Sequence, residues 1–203
     1  MRSVAAVSGI QRLTPAELRK AADVAEALGL NPDWLATVIS FETNRTFSPS
    51  IRNSSSGATG LIQFLPSTAR ALGTTTEALA GMSVSQQLDY VARYFAGWKN
   101  RLHSLESTYL AVFYPAAIPL GPDDIVASSG SALYEQNKGF DREGNGFIRR
   151  RDITATISSV LAAAAGKPRL PVPGASSSRN ILLGAIAGAV TFAAAYVHAG
   201  RRG

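Results

Sequence analysis

The sequence predicts a mostly α-helical chain that ends in a candidate membrane segment. Three observations carry that prediction. Helix-start signals recur along the first 165 residues, strand signals are few, and a long uncharged apolar run lies near the C-terminus. The chain has 203 residues, enough for one ordinary domain and an appendage.

Thr14-Pro15-Ala16-Glu17 is a capping box with proline at the first helical position, so a helix is predicted from there to about Leu28, before Gly29. Asn31-Pro32-Asp33 opens a second helix that reaches Glu42. Residues 43–60 are rich in Ser, Asn, Thr and Gly and read as a long loop or short hairpin. Pro66 to Leu72 reads as a short helix. Ser83-Val84-Ser85-Gln86 is a second capping box, opening a helix to about Lys99. A further helix is expected from Ser104 to Tyr114, stopped by Pro115. Residues 116–130 are punctuated by Pro, Gly and Ser, and a last helix is expected over about Asp152 to Ala165.

Gly166 to Arg179 carries three prolines and a serine run, which predicts a linker instead of a packed element. Ile181 to Val197 follows, 17 residues without a charge. As a helix it would span roughly 26 Å, slightly short of the ~30 Å hydrocarbon core. Arg179 flanks one end and His198, Arg201 and Arg202 the other, where basic side chains snorkel. A membrane anchor over 181–198 is therefore expected, with a buried Ala-rich helix as the alternative. Gly184 and Gly188 form a GxxxG step suited to helix pairing. The expected division is an N-terminal helical segment (1–30), a central domain (31–137), a loop and helix (138–165), a basic linker (166–180) and the anchor (181–198).

Charge follows the same division. The net charge is +6, but residues 1–148 sum to −1 and residues 149–203 to +7. The basic character thus belongs to the C-terminal quarter, and its apolar neighbour favours a lipid surface over nucleic acid as its partner. The absence of cysteine excludes disulfides, a thiol nucleophile and Cys-based zinc sites. His103 and His198 are too far apart in sequence to suggest a His-based metal cluster. Met1 to Ile10 is too short for a secretory signal, so none is read there.

Leu35, Val38 and Ile39 form the apolar stripe of the second helix, and Glu42 falls on it, four residues after Val38. A carboxyl group on a core-facing stripe is partly desolvated, which disfavours its charged form. That suits a general acid. The alternative is a glutamate at a fraying helix end, facing water.

Downstream stands Ser56-Gly57-Ala58-Thr59-Gly60-Leu61-Ile62-Gln63-Phe64. With Phe41-Glu42-Thr43 and Phe47-Ser48-Pro49, this pattern resembles the lytic transglycosylase family of the goose-lysozyme-like fold. That family pairs a helix-terminal Glu, usually followed by Ser, with a Gly-Ala-x-Gly-Leu-Met-Gln segment. Here Thr43 stands for the Ser and Ile62 for the Met, and Asn44–Thr46 form a small insertion. The resemblance covers roughly residues 30–120. It implies a lysozyme-like domain, Glu42 as the catalytic acid, and substrate contacts from Thr43, Ser56, Gly60, Gln63 and Phe64. Gly57 and Gly60 would let backbone approach a sugar, and the Gln63 amide would bond an N-acetyl or hydroxyl group. The family's later Ala-Tyr-Asn-x-Gly motif is reduced here to Tyr109 and Tyr114-Pro115, its Asn and Gly being absent. Either tyrosine is a candidate to face Glu42 and the sugar, or to serve only as core.

The resemblance implies cleavage of peptidoglycan glycan strands between N-acetylmuramic acid and N-acetylglucosamine, with closure of a 1,6-anhydro ring. Glycoside hydrolysis usually takes two carboxylates, and Glu106, Asp123 and Asp124 lie in no motif. A hydrolytic muramidase is the neighbouring reading. A membrane-bound virion protein that binds glycan without cutting it is the reading from another class. Without a secretory signal, a C-terminal anchor would leave the domain on the wrong side of a bacterial membrane. A virion-associated, membrane-anchored protein of a bacteriophage is therefore expected, acting in the cell wall.

Residues 141–152 fit the twelve-residue EF-hand register, with Asp141, Glu143, Asn145 and Asp152 at ligand positions and Phe147 supplying a carbonyl. Position 12 is the short Asp152, and Arg142, Arg149, Arg150 and Arg151 oppose a dication. The loop is a candidate calcium site or a turn that keeps the geometry without metal; no other cofactor is required.

Overall fold

The computed structural model describes residues 2–99 and 101–174. The anchor expected over 181–198, the Gly184/Gly188 step and the end of the linker lie outside the described residues. Among the described residues, no helix is long and apolar enough to cross a membrane.

The chain is mostly helical. Helix α1 (Pro15–Ala27) starts at the expected box, where Thr14 Oγ1 accepts from the Glu17 backbone N–H and Glu17 Oε2 accepts from the Thr14 N–H. Helix α2 (Pro32–Glu42) is capped by Asn31. Then come α3 (Pro66–Ala71) and α4 (Thr76–Ala80), and α5 (Val84–Ala96) opens at the Ser83/Gln86 box. Helix α6 (Leu105–Phe113), the short α7 (Ala132–Asn137) and α8 (Arg150–Ala162) complete the set. Two antiparallel ribbons join distant segments. Strand β1 (Ser3–Val4) pairs with β4 (Leu170–Pro171), and β2 (Ile125–Ser128) pairs with β3 (Phe147–Arg149).

Helix α2 is the axis of the fold, packed against α1, α6 and α8. The sequence predicts an apolar stripe on α2, yet every residue from Leu35 to Ser40 is buried. A helix surrounded on all sides carries apolar or hydrogen-bonded residues all round. Accordingly, Thr37 donates to the Asp33 carbonyl and Ser40 to the Ser8 carbonyl.

The first residues of the segment expected as linker, up to Val172, pack against the domain. Arg169 forms a fork on both carboxylate oxygens of Asp33, at 2.9 and 3.0 Å, and also bonds Ser3. Val172 is 4% exposed, and its N–H donates to the Arg2 carbonyl. Prolines exclude helix but not a short edge strand, which is what Leu170–Pro171 forms. The segment is thus a strap across the start of α2. The helix expected over about Asp152 to Ala165 forms as α8, packed on both α2 and α6.

Candidate active site

Glu42 is the last residue of α2 and is 5% exposed. Its surroundings explain how a carboxyl group comes to be there. Phe41 meets Tyr109 of α6 edge-on at 5.3 Å, and Tyr109 stacks on Phe113 at 5.7 Å. Tyr94 of α5 lies edge-on to Phe64 and donates its hydroxyl to the Ala111 carbonyl. Burial first, and the nearby Glu42 charge second, push the Tyr94 and Tyr109 phenols above their ordinary range. Two buried tyrosines from two helices therefore sense the same carboxylate. The Tyr109 hydroxyl is buried and has no hydrogen-bond partner among the described residues.

The chain leaves Glu42 through a strained turn. Asn44, Arg45 and Phe47 adopt positive φ of 47°, 66° and 53°. Gly9 makes the turn fit, because a Cβ there would sit 1.8 Å from the Arg45 carbonyl oxygen. The other described non-glycine residue at positive φ is Gln63, at 49°. All four left-handed residues thus lie just after Glu42 or in the Gly57–Phe64 segment. Such conformations cost about 1–3 kcal/mol each and gather where function needs them.

The Gly57–Phe64 segment folds as a tight turn. Thr59 and Phe64 exchange both backbone hydrogen bonds, at 3.0 and 2.9 Å, and Gln63 N–H donates to the Gly60 carbonyl. Arg52 and Thr59 form an isolated bridge, which gives the expected short hairpin.

The expected contact residues are placed as follows. Thr43 is fully buried; its hydroxyl donates to the Ile39 carbonyl and accepts from the Phe47 N–H, so it caps α2 and anchors the strained turn. Phe64 is 1% exposed and belongs to the core. Gln63 spends its amide nitrogen on the Ile51 and Gly60 carbonyls. Gly60 faces a side chain, since a Cβ there would lie 2.2 Å from Gln87 Oε1. Tyr109 is fully buried and faces the carboxylate, away from solvent. Ser56 and Tyr114 are half-buried; Ser56 Oγ accepts from the Ala58 N–H.

Gln87 is a site residue that motif reading passes over. It is fully buried on α5, in the stripe with Val91 and Tyr94. That placement was the available signal: an amide at a core position four residues before Val91 must be bonded.

The other acidic candidates are engaged elsewhere. Asp123 pairs with Arg151, and Asp124 accepts from the Gly121 N–H. Glu106 is half-buried on α6; burial pushes its carboxyl up, but its backbone N–H, Ser104, Ser158 and the Arg150 charge outweigh that and hold it below the usual range.

The 141–152 loop keeps EF-hand geometry by its own bonds. Asp141 accepts from the Asn145 and Gly146 N–H groups and from the Tyr134 hydroxyl. Asp152 Oδ2 accepts from the Arg149 N–H at the start of α8, and Glu143 Oε2 accepts from the Asn145 amide. Phe147 is 38% exposed. A space of about 120 Å³ lies between these side chains. Among the described residues, no group of three or more His, Cys, Asp or Glu is arranged to hold a metal ion. Oxygens of Asp141, Glu143 and Asp152 accept hydrogen bonds within the loop, as a turn that holds its shape without metal requires.

Comparison of the chain with family models, curated proteins and solved structures finds no match.

Proposed function

We infer that the chain is a peptidoglycan lytic transglycosylase in which Glu42 acts first as acid and then as base. The observation that carries this reading is the placement of Glu42: a carboxyl group 5% exposed at a helix end, with two buried tyrosines in its field. Burial favours the protonated form of a carboxyl group, the form needed to protonate a leaving oxygen. Glu42 donates its proton to the glycosidic oxygen between N-acetylmuramic acid and N-acetylglucosamine. The carboxylate so formed takes the proton of the muramoyl C6 hydroxyl as that oxygen bonds to C1. The products are a 1,6-anhydro end and a free 4-hydroxyl. No second carboxylate is needed, in keeping with the engagement of Glu106, Asp123 and Asp124 elsewhere.

Zymography on purified cell wall with Glu42→Gln tests this. The substitution is expected to lower the rate by about 10²–10⁴-fold. Equal clearing by both proteins refutes the assignment. Mass spectrometry of the released fragments is expected to show anhydro ends; reducing ends would instead make the protein a muramidase. Local wall penetration by a membrane-anchored phage particle belongs to the same reading. Its check is recovery of the chain from purified particles in the detergent-soluble fraction.

A further inference from the structure

Three short hydrogen bonds converge on one buried amide. Gln87 Oε1 accepts from the Leu61 N–H at 2.7 Å, and Nε2 donates to the Pro49 and Leu79 carbonyls, each at 2.7 Å. The three partners come from different segments: the Gly57–Phe64 turn, the loop leaving Glu42 by way of Phe47, and the end of α4. Gln87 is fully buried. A buried primary amide is costly unless its donors are used, and here both N–H bonds are. The amide satisfies one N–H and two carbonyls from three separate segments, so it fixes where those segments lie relative to one another. The backbone also approaches the amide too closely for a side chain at residue 60: a Gly60 Cβ would lie 2.2 Å from Oε1 and 2.6 Å from Nε2.

We propose that Gln87 is a positioning residue for glycan binding, fixing the Gly57–Phe64 turn relative to the chain leaving Glu42 and so setting where the sugar lies against the acid. The proposal rests on the glycan-cleaving reading of the site. It acts on binding, so it is tested where catalysis plays no part. Soluble peptidoglycan fragments are titrated into the Glu42→Gln protein with and without Gln87→Glu. Glutamate keeps the shape and the acceptor for Leu61 but turns an oxygen toward the two carbonyls. The expected result is a Kd raised about tenfold, in protein whose melting curve shows it folded at the assay temperature. Gly60→Ala, which crowds the same amide from the turn, is expected to do the same. Part of its effect is lost in a Gln87→Ala background, where the obstructing atoms are gone, while the part due to the positive φ of residue 60 remains.

A Kd within twofold of the parent in folded Gln87→Glu protein overturns the proposal. So do Gly60→Ala and Gln87→Ala effects that simply multiply. Glycan binding that follows the proposal, in a chain whose cleavage does not depend on Glu42, leaves Gln87 in place and removes the catalytic reading. No glycan binding by the parent protein removes both.

Discussion

Glu42 owes its burial to the crowding of α2 on all sides, more than to a one-sided stripe. Tyr109 follows from the same crowding. Its hydroxyl is buried without a hydrogen-bond partner among the described residues, a condition that costs about 1–3 kcal/mol. Tyr109→Phe is therefore expected to leave stability unchanged or raise it by about 1 kcal/mol, while cleavage falls at least severalfold because the hydroxyl no longer stands in the carboxylate's field. Chemical denaturation and zymography together decide this; full activity in the phenylalanine protein would make the hydroxyl a packing accident. At this scale the sequence placed Glu42 on the buried face at the end of α2, because its flanking pattern is local. The burial of Thr43 and Phe64 was not legible, because it is set by the elements packed around them. Gln87 escaped for the same reason: its partners lie 8, 26 and 38 residues away.

Helix starts were the most legible elements, since a capping box is written within four residues, as at Thr14 and Ser83. The short helices α4 and α7 were missed. Each is held by a single turn of local bonds, Thr75 and Ser131 capping them, with too few residues to show a period. Strand β2 was missed too, because its partner β3 lies about twenty residues on. The loop before β3 makes a pH prediction. The Tyr134 hydroxyl is the largest cause holding the Asp141 carboxyl below its ordinary value; desolvation comes next and opposes it, and the backbone N–H groups of Gly146, Asn145 and Gly144 add to the lowering. A lowered carboxyl value in the folded chain means stabilisation that is present above the unfolded value and lost as pH falls through the folded one. The Asn145 and Gly146 amides should therefore stay protected from exchange at pH 5 and lose protection only below the usual carboxylate range. Tyr134→Phe should move that loss to higher pH; an unmoved transition would deny Tyr134 its part. The metal-free turn predicts that millimolar calcium leaves the melting temperature unchanged, and a saturable rise would favour the calcium reading instead.

The described part of the chain is closed by contacts between its first and last segments, which no local pattern announces. Ser3–Val4 pairs with Leu170–Pro171, and Arg169 grips Asp33 at the first turn of α2, the end opposite Glu42. Composition made this segment look like linker, since proline and exposed arginine are linker residues when read alone. The fork and the burial of Val172 depend on a partner 136 residues away in one case and on Arg2 in the other. Asp33 also accepts from the Ala5 N–H, so it gathers the N-terminal segment, the strap and α2 at one carboxylate. Half of the Arg169 side chain is in water, which limits the ion pair to about 1 kcal/mol. Burial of Val172 adds about 1.5 kcal/mol. A chain ended after Ala165 should thus lose roughly 2–3 kcal/mol and melt roughly 5–10 °C lower, whereas Arg169→Ala alone should cost about 1 kcal/mol. Calorimetry of the two variants separates the contributions. An unchanged melting temperature after truncation would return residues 166–174 to the role of a linker and leave α2 to be held by α1, α6 and α8 alone.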